Sequence, residues 1–536
     1  MKNIKIILSV KIVIIFQIQV SSQSLNIEWQ GCYGGTDTEY PEDILALADG
    51  YLVAGATKSN NGDIYFNHGA TDGWLFKIGN ESSIIWEKTY GGSLGDGIFR
   101  IFPADENNFY LLCSANSSDG DISFDPYPET ADYWILKVNS NGEIIWDKIL
   151  GGNGDEQMWT GTVTSDGGII AFGWTTSNDG DVSIYYGGYD MWLVKLNGDG
   201  EKECDFSIGT DGFDFGQAII QTSDGGFLVG GSSAIGNGGN LICTPQSWAA
   251  EAILVKLDAS LNIEWKQCYG GSDHDGVTAL AEISDGYIFG AYVNSNDGEI
   301  SGWHGDNDIW IVRTDLWGNI IWQNCFGGSL SEFTSKIIVT DDDDILISGS
   351  TQSTDGDVTG NHTISEYKYD IWMVKLNSAG ELLWEKCFGG IWDEQVNFGF
   401  IKKTDSNFVI AGQTDYGPSF DVNCTPHGGL YDKDLWVFEI KDTLTSVQTN
   451  VAFELNLKVC PNPASSDITL AFQNTEHHTN MQLECYNIYG QQVHTEKIWK
   501  GQQETKIDLR GWAKGLYFAV VKSEGTLAGS VRFIRQ

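Results

Sequence analysis

The sequence repeats one unit seven times, and this repetition limits the available folds more than any other feature. A segment typified by IIWEKTYGG at 84–92 recurs with a period of about 57 to 62 residues. A second segment, typified by DMWLVKL at 190–196, recurs in step with it. Periods of this order are typical of repeat architectures, in which a single unit cannot bury its own apolar faces.

Each unit contains four strand-like segments joined by turns that are often Asn-Gly or Asp-Gly, the pattern of an antiparallel meander. Packing such sheets in a circle buries both faces of each one, as in a β-propeller. The chain begins with a fourth-strand sequence at 26–32, and the last copy ends at 434–440 without one. We therefore predict an all-β chain with a seven-bladed β-propeller at 23–441, in which the N-terminal strand completes the last blade.

Composition supports a folded chain and excludes one class of partner. There are 65 Gly and 66 aromatic residues (20 Trp, 21 Tyr and 25 Phe) among 536, which suits many short strands and tight turns. The net charge of −42 repels phosphate backbones, so no nucleic acid partner is expected. No apolar run reaches the roughly 18 residues of a membrane span, so no transmembrane segment is expected.

The first 22 residues have the layout of a signal peptide, with a basic start, an apolar stretch and small residues before Gln23. Export would place the ten cysteines in an oxidising compartment, where disulfides are permitted. Four cysteines occupy one equivalent repeat position, and blades are too far apart to bridge them to each other. We expect these four to be small buried apolar residues: Cys32, Cys268, Cys325 and Cys387.

A polar linker at 442–456 separates the repeats from residues 457–536, which read as a small β-sandwich of about 80 residues. Four short motifs here resemble, in order, those of the type A C-terminal sorting domain of the Bacteroidetes type IX secretion system. The matching positions are Pro461, Asn462, Pro463, Asn487, Gly490, Gln491, Gly515 and Tyr517.

This resemblance implies export through the periplasm and passage across the outer membrane by the type IX machinery. It also implies later removal of the domain, with release of the protein or its anchoring to the cell surface. The expected location is therefore secreted or on the outer cell surface.

Two acidic positions recur in all seven copies. The first follows the Gly-Gly, so seven carboxylates should surround the channel mouth and either bind a cation or cap backbone N–H groups. We favour capping, because a ligand seldom has seven-fold symmetry, and we interpret the second position in the same way. The first set is Glu39, Asp96, Glu156, Asp214, Asp275, Glu332 and Glu394. The second set, two residues before the third-strand Trp, is Asp72, Asp132, Asp190, Glu251, Asp308, Asp370 and Asp434.

Five long loops carry the pattern Ser-x-[Asn/Asp]-Gly-[Asp/Glu]. Closely spaced carboxylate and backbone oxygens suit calcium, whereas Asp-Gly is also a common tight-turn dipeptide. Calcium is the one cofactor that the sequence brings into consideration. Its candidate ligands are Asp63, Asp121, Asp181, Glu299 and Asp357.

The histidines of the propeller fall on loops of the same face, together with three Trp that the repeat does not explain. Such residues beside acids could line a glycan or metal site, although loops also collect polar residues for no such purpose. These candidates are His68, His274, His304, His362, His427, Trp248, Trp303 and Trp392.

We interpret the chain as a binding protein for a glycan or an extracellular matrix protein. The alternatives are a polysaccharide-degrading enzyme that uses paired loop carboxylates, and a passive structural component. A sialidase-type site is disfavoured because the propeller has only Arg100 and Arg313, and the GxSxG and HExxH motifs are missing.

Overall fold

The structure is a computed structural model, which describes residues 24–80, 82–234, 236, 238–241, 249–362, 365, 367–404, 406–429, 431–443, 457–472, 481–487, 492–523 and 526–535. The predicted signal peptide lies outside these residues. Residues 23–443 form one compact unit, and the C-terminal residues belong to another. In the ranges that the structure describes, no helix has the length and apolar character needed to cross a membrane.

The described part of residues 23–443 consists of seven four-stranded antiparallel sheets. Sheet 1 contains β2 (Glu39–Leu47), β3 (Gly50–Thr57), β4 (Asp72–Gly79) and β5 (Ile84–Tyr90). Sheet 2 contains β6 (Asp96–Pro103), β7 (Asn108–Ala115), β8 (Asp132–Asn139) and β9 (Ile144–Leu150). Sheet 3 contains β10 (Glu156–Val163), β11 (Ile169–Thr175), β12 (Asp190–Leu196) and β13 (Lys202–Ile208).

The remaining four sheets repeat this order. Sheet 4 contains β14 (Phe213–Gln221), β15 (Phe227–Ala234), β16 (Ala250–Leu257) and β17 (Ile263–Tyr269). Sheet 5 contains β18 (Asp275–Ile283), β19 (Gly286–Val293), β20 (Asp308–Asp315) and β21 (Ile320–Phe326). Sheet 6 contains β22 (Glu332–Val339), β23 (Ile345–Thr351), β24 (Asp370–Leu376) and β25 (Leu382–Phe388). Sheet 7 contains β26 (Gln395–Thr404), β27 (Asn407–Thr414), β28 (Asp434–Thr443) and β1 (Ser24–Tyr33).

Sheet 7 joins the two ends of the repeat region. Strand β1 pairs antiparallel with β28, from Ser24 opposite Thr443 to Tyr33 opposite Leu435. This is the pairing that the sequence predicts for its unmatched first and last segments. The first strand of each sheet, hereafter the inner strand, contacts the inner strands of its two neighbours in the cyclic order β2, β6, β10, β14, β18, β22, β26 and back to β2.

The apolar core lies between adjacent sheets, because both faces of each sheet are covered by a neighbour. One cluster, for example, combines Leu52 and Leu75 of sheet 1 with Leu111 and Trp134 of sheet 2. All six third-strand Trp side chains are completely buried. Each indole N–H is paired, as in Trp372, whose Nε1 donates to Glu385 Oε2 at 2.7 Å.

The expectation of a small buried apolar side chain is wrong for Cys32 and for Cys268. The Cys32 sulfur is bonded to Cys424, which lies on the loop between β27 and β28, with 5.6 Å between the Cα atoms. Cys268 is also disulfide-bonded, whereas Cys325 and Cys387 are free and buried. The repeat gave no sign of this because Cys424 belongs to a loop that differs between copies, and the bond lies within one sheet rather than between sheets.

The C-terminal unit contains two sheets that bury one apolar core, which includes Ile468, Leu483, Tyr517 and Phe533. The first sheet has the order β29 (Leu457–Cys460), β30 (Asp467–Phe472) and β33 (Glu504–Asp508). The second has the order β32 (Gln492–Ile498), β31 (Met481–Asn487), β34 (Gly515–Ser523) and β35 (Thr526–Arg535).

Candidate functional site

The first set of repeated carboxylates is buried and accepts hydrogen bonds from the chain itself. All seven side chains are at most 4% exposed. Each accepts the backbone N–H of the residue four positions earlier, at 2.7 to 3.0 Å. In four copies a second-strand Thr hydroxyl also donates to the acid, as Thr351 does to Glu332 at 2.7 Å. These bonds hold the crossing between sheets in place.

The second set is also buried, and at five of the junctions between sheets an acid of each set lies beside the same glycine. A Cβ added to Gly91 would lie 2.8 Å from Asp72 Oδ1 and 2.9 Å from Asp96 Oδ2, which explains why glycine stands there. In six of the seven junctions the Oδ1 atom of the second acid lacks a hydrogen-bond partner among the described residues. Two carboxyl groups that face each other in this way can form a hydrogen bond with each other when they share one proton.

The pKa values of these acids reflect that arrangement. Burial and then the charge of Glu156 raise the pKa of Asp132 to about 8. Burial raises the pKa of Glu39 to about 7, against hydrogen bonds from Gly35, Ser59 and Thr57, and Asp434 adds to the shift. The junctions that contain Asp132 and Glu39 therefore retain protons at neutral pH.

Four of the candidate histidines link adjacent sheets. Their Nδ1 atoms lie 2.6 to 2.8 Å from the second-set aspartate of their own sheet, and their Nε2 atoms lie 3.5 to 3.9 Å from a loop aspartate of the next sheet. The spacing His-x-x-x-Asp in two copies is a signal that the sequence contained. These histidines are His68, His304, His362 and His427.

The other members of that candidate group lie apart from one another. His274 Nδ1 accepts the backbone N–H of Ala250 at 3.2 Å. Trp303 donates to the carbonyl of Asp306, and Trp392 packs edge-on against Tyr431. Trp248 lies outside the described residues. The structure therefore distributes the His and Trp candidates over several sheets and does not bring them into one site.

The five candidate calcium ligands form hydrogen bonds within the chain. Each accepts the N–H of the first glycine of the Gly-Gly pair at 3.1 to 3.4 Å. Other oxygens of the same loops are also occupied, because Ser117 Oγ accepts Leu94 N–H and Asp119 Oδ1 accepts Ser93 N–H. Among the residues described, no three His, Cys, Asp or Glu side chains are grouped so as to hold a metal ion. Calcium binding stays a prediction.

A cavity of about 440 Å³, hereafter the upper cavity, is lined by residues of all seven inner strands. Every inner strand contains a β-bulge at which the register with the second strand shifts. A bulge redirects the extra side chain, and here each one lines the cavity. The bulge residues are Glu42, Phe99, Trp159, Gln217, Thr278, Ser335 and Asn397.

Sequence reasoning missed this row, although a signal was present. Each bulge residue stands three positions after the first-set acid of its copy. The first position is occupied by Asp or Glu in all seven copies. The position three residues later is occupied by a different residue type in every copy. Aromatic side chains such as Phe333, Tyr369 and Phe398 and amides such as Asn307 and Gln395 complete the wall.

Among the described residues, Glu42 is the one carboxylic acid in the wall of the upper cavity. Burial raises its pKa to about 8, a shift that a hydrogen bond with Asn397 and the charge of Arg100 only partly offset. The side chain is therefore mostly protonated at neutral pH and can both donate and accept hydrogen bonds.

The sorting-motif residues support the C-terminal unit. Asn462 accepts the N–H of Ile534 at 2.9 Å and so ties the Pro-Asn-Pro turn to the last strand. Tyr517 is buried, pairs with Asn487 across β34 and β31, and donates its hydroxyl to Ala513 at 2.8 Å. Gly490 and Gln491 lie outside the described residues.

Solved structures with similar backbones are distant in sequence. The extracellular region of plexin A4 matches 93% of this chain and 67% of its own, at 7% identity and a TM-score of 0.43. An apocarotenoid oxygenase variant from Synechocystis matches 89% of this chain and 97% of its own, at 11% identity and a TM-score of 0.38. Matches this weak say nothing about what the chain binds or catalyses. No curated protein matches the sequence significantly.

The family comparison is specific to the C-terminal unit. Residues 458–534 match the family model described as "Secretion system C-terminal sorting domain". This range contains the motifs on which the resemblance to the type IX system rests. Residues 458–534 thus match a secretion sorting domain, and such a domain implies that the protein is exported to the cell surface or secreted.

Proposed function

We propose that residues 23–443 form a closed seven-bladed β-propeller that binds a glycan in the upper cavity, and that the C-terminal unit is a β-sandwich that delivers it to the cell exterior. Cyclic contacts among the inner strands and the pairing of β1 with β28 support the closed ring. Two sheets around one core support the sandwich.

The observation that carries the binding proposal is the row of seven different bulge residues around one cavity. The first-set acids on the same strands, by contrast, make the same internal contact in all seven copies. Because the bulge residue is different in every copy, it has no structural role common to all seven sheets. Such a row suits a ligand that lacks seven-fold symmetry.

The chemistry of the wall favours a sugar. Trp159 is 38% exposed and Phe333 is 38% exposed, so both present aromatic faces to the cavity. Amides and hydroxyls such as Gln217 and Thr278 stand between the aromatic rings. Apolar surfaces with a few placed polar groups are the usual composition of a small-ligand site.

A polysaccharide-degrading activity is less well supported. Most glycosidases need two carboxyl groups on either side of the scissile bond. The described wall of the upper cavity supplies only Glu42. The seven first-set acids, which could have provided a pair, are buried and hydrogen-bonded to the backbone.

A glycan-array screen of residues 23–536 tests the binding proposal. We expect a defined group of glycans to bind, and we expect Trp159→Ala to lower their affinity at least tenfold. Trp317→Ala is the matched control, because Trp317 is 65% exposed and does not line the cavity. Equal losses in both variants, or no bound glycan at all, would contradict the proposal.

Export is tested separately by deletion of residues 457–536. Because this unit carries the sorting-domain match, the truncated chain should remain in the periplasm of a type IX-competent host. Protease treatment of intact cells measures surface exposure. Delivery of the truncated chain to the surface would show that the sorting function lies elsewhere.

A further inference from the structure

A second cavity of about 200 Å³, hereafter the lower cavity, adjoins the upper one along the same inner strands. It is lined by residues further along those strands, including Thr162, Ile220 and Ile337. Four residues line both cavities, so a ligand in the upper cavity faces the lower one directly. These shared residues are Gln217, Thr278, Ser335 and Phe398.

The lower cavity contains two cationic side chains in a unit that is otherwise strongly acidic. Arg100 is 12% exposed and stacks on the ring of Phe398 at 3.9 Å. Lys336 donates to the carbonyl of Phe398 at 3.2 Å. Both lie near Asp43, at 3.9 Å for Arg100 Nη1 and 3.7 Å for Lys336 Nζ.

Asp43 lies at ion-pair distance from both cations but is hydrogen-bonded to neither of them. Its two oxygens accept the backbone N–H groups of Ile44 at 2.9 Å and Ile101 at 3.1 Å. The Nε and Nη1 atoms of Arg100 are buried and have no hydrogen-bond partner among the described residues. Two basic side chains face this one carboxylate, and burial lowers the pKa of both Arg100 and Lys336 while it keeps Glu42 mostly protonated.

A buried guanidinium with unpaired N–H groups is costly, and a carboxylate is the partner that fits its planar donors. The aromatic rings and amides of the upper cavity adjoin it, because Phe398, on which Arg100 stacks, lines both cavities. A sugar that carries a carboxylate would occupy both cavities at once, with its ring in the upper cavity and its carboxylate in the lower one.

We propose that Arg100 and Lys336 form the acid-recognition part of the ligand site, so that the glycan is an acidic one that contains uronic acid. This inference rests on the proposed function, since it assumes that a sugar occupies the upper cavity. Neither cation is placed to cleave a bond, and the proposal concerns binding alone.

The test uses residues 23–536 and pairs of probes that differ only in charge. Oligogalacturonate, oligoalginate and a glucuronate-containing glycosaminoglycan fragment are each compared by calorimetry with the methyl-esterified or carboxyl-reduced form. We expect at least one acid to bind about ten- to a hundredfold more tightly than its neutral form, the range for a charge-assisted hydrogen bond.

Variants assign that preference to the lower cavity. Arg100→Met should reduce the acid-to-neutral ratio to near one, and Arg100→Lys should restore part of it. Lys336→Met provides a second removal in case Arg100→Met fails to fold, as judged by its melting curve. Arg313→Met is the matched control, because Arg313 pairs with Asp285 at 2.8 Å and does not line either cavity.

The outcomes separate this inference from the proposed function. If acidic and neutral sugars bind equally, the inference is wrong and the glycan site stands. If no sugar binds, both fail. If inorganic phosphate competes as well as the free acid sugar does, the lower cavity is a general anion site, and the assignment to uronic acids is overturned.

Discussion

Two positions on the same inner strands differ in how far they follow the repeat: the acids at the junctions between sheets and the bulge residues. At the junctions, a buried carboxylate accepts a backbone N–H seven times with nearly the same geometry. Three residues further on, the seven bulge positions carry seven different side chains around one cavity. The first-set acids fix the chain where it crosses from one sheet to the next, whereas the bulge residues differ from copy to copy.

This contrast gives a way to interpret a repeat protein of unknown ligand. Seven acids around a central axis suggest a cation site when only their repetition is considered. Their burial and hydrogen bonds instead place them among structural residues. The ligand is better sought where one position breaks the repeat in every copy while its neighbours keep it.

The largest expected effect comes from pH, because pH acts on many junctions together. Burial raises the pKa of Glu39 and Asp190 to about 7 and of Asp132 and Glu394 to about 8. Raised carboxyl pKa values stabilise the fold fully below the unfolded values near 4, and this stability is lost as pH rises through 7 to 8. The melting temperature should therefore fall from pH 5 to pH 8 and then level off.

Tryptophan fluorescence measures this for the repeat unit, because 18 of the 20 Trp lie within residues 23–443. The raised pKa of His362, caused first by its hydrogen bond with Asp370, acts in the same direction. A melting temperature that rises steadily between pH 5 and pH 8 would mean that the junctions do not retain protons.

The next effect concerns closure of the ring. The Cys32–Cys424 bond spans 392 residues, and a crosslink over a long loop stabilises by about 2–5 kcal/mol. The double variant Cys32→Ala/Cys424→Ala should lose about that much in denaturant unfolding. Cys387→Ala is the matched control, since Cys387 is free and buried at the equivalent strand position. Equal losses in the two proteins would assign the effect to packing rather than to the crosslink.

A single junction should matter less than the closure bond. Glu332→Ala leaves the Gly328 N–H and the Thr351 hydroxyl without their acceptor inside the protein. Each unsatisfied buried group costs about 1–3 kcal/mol, so a loss of roughly that size is expected in chemical unfolding. Glu332→Gln keeps an acceptor oxygen and should recover part of the loss. If Glu332→Ala leaves the free energy of unfolding unchanged, the capping role is contradicted.

Much of the fold followed from the sequence because a repeat averages out local ambiguity. The pairing of β1 with β28 could be predicted from complementary unmatched ends alone. The buried third-strand Trp side chains could likewise be predicted, since six copies occupy one position.

The candidate site could not be predicted so well, because its residues depend on contacts that the repeat does not encode. A bulge such as that at Trp159 depends on how two strands pair, and its side chain turns inward only then. The bond from Cys32 required a partner in a loop that occurs once. The histidines seemed to share a loop face, yet each is held by an aspartate of its own sheet.

The smallest effect on stability is expected in the bulge row, and it gives the sharpest test of the comparison. Trp159→Ala removes a side chain that is 38% exposed and should cost less than about 1 kcal/mol. The same substitution at Trp192, which is completely buried in the frame, should cost about 3–5 kcal/mol. Glycan affinity should show the reverse order, provided that Trp192→Ala is measured where it remains folded. If Trp159→Ala destabilises the protein as much as Trp192→Ala, the bulge row belongs to the frame, and the ligand must be sought on another surface.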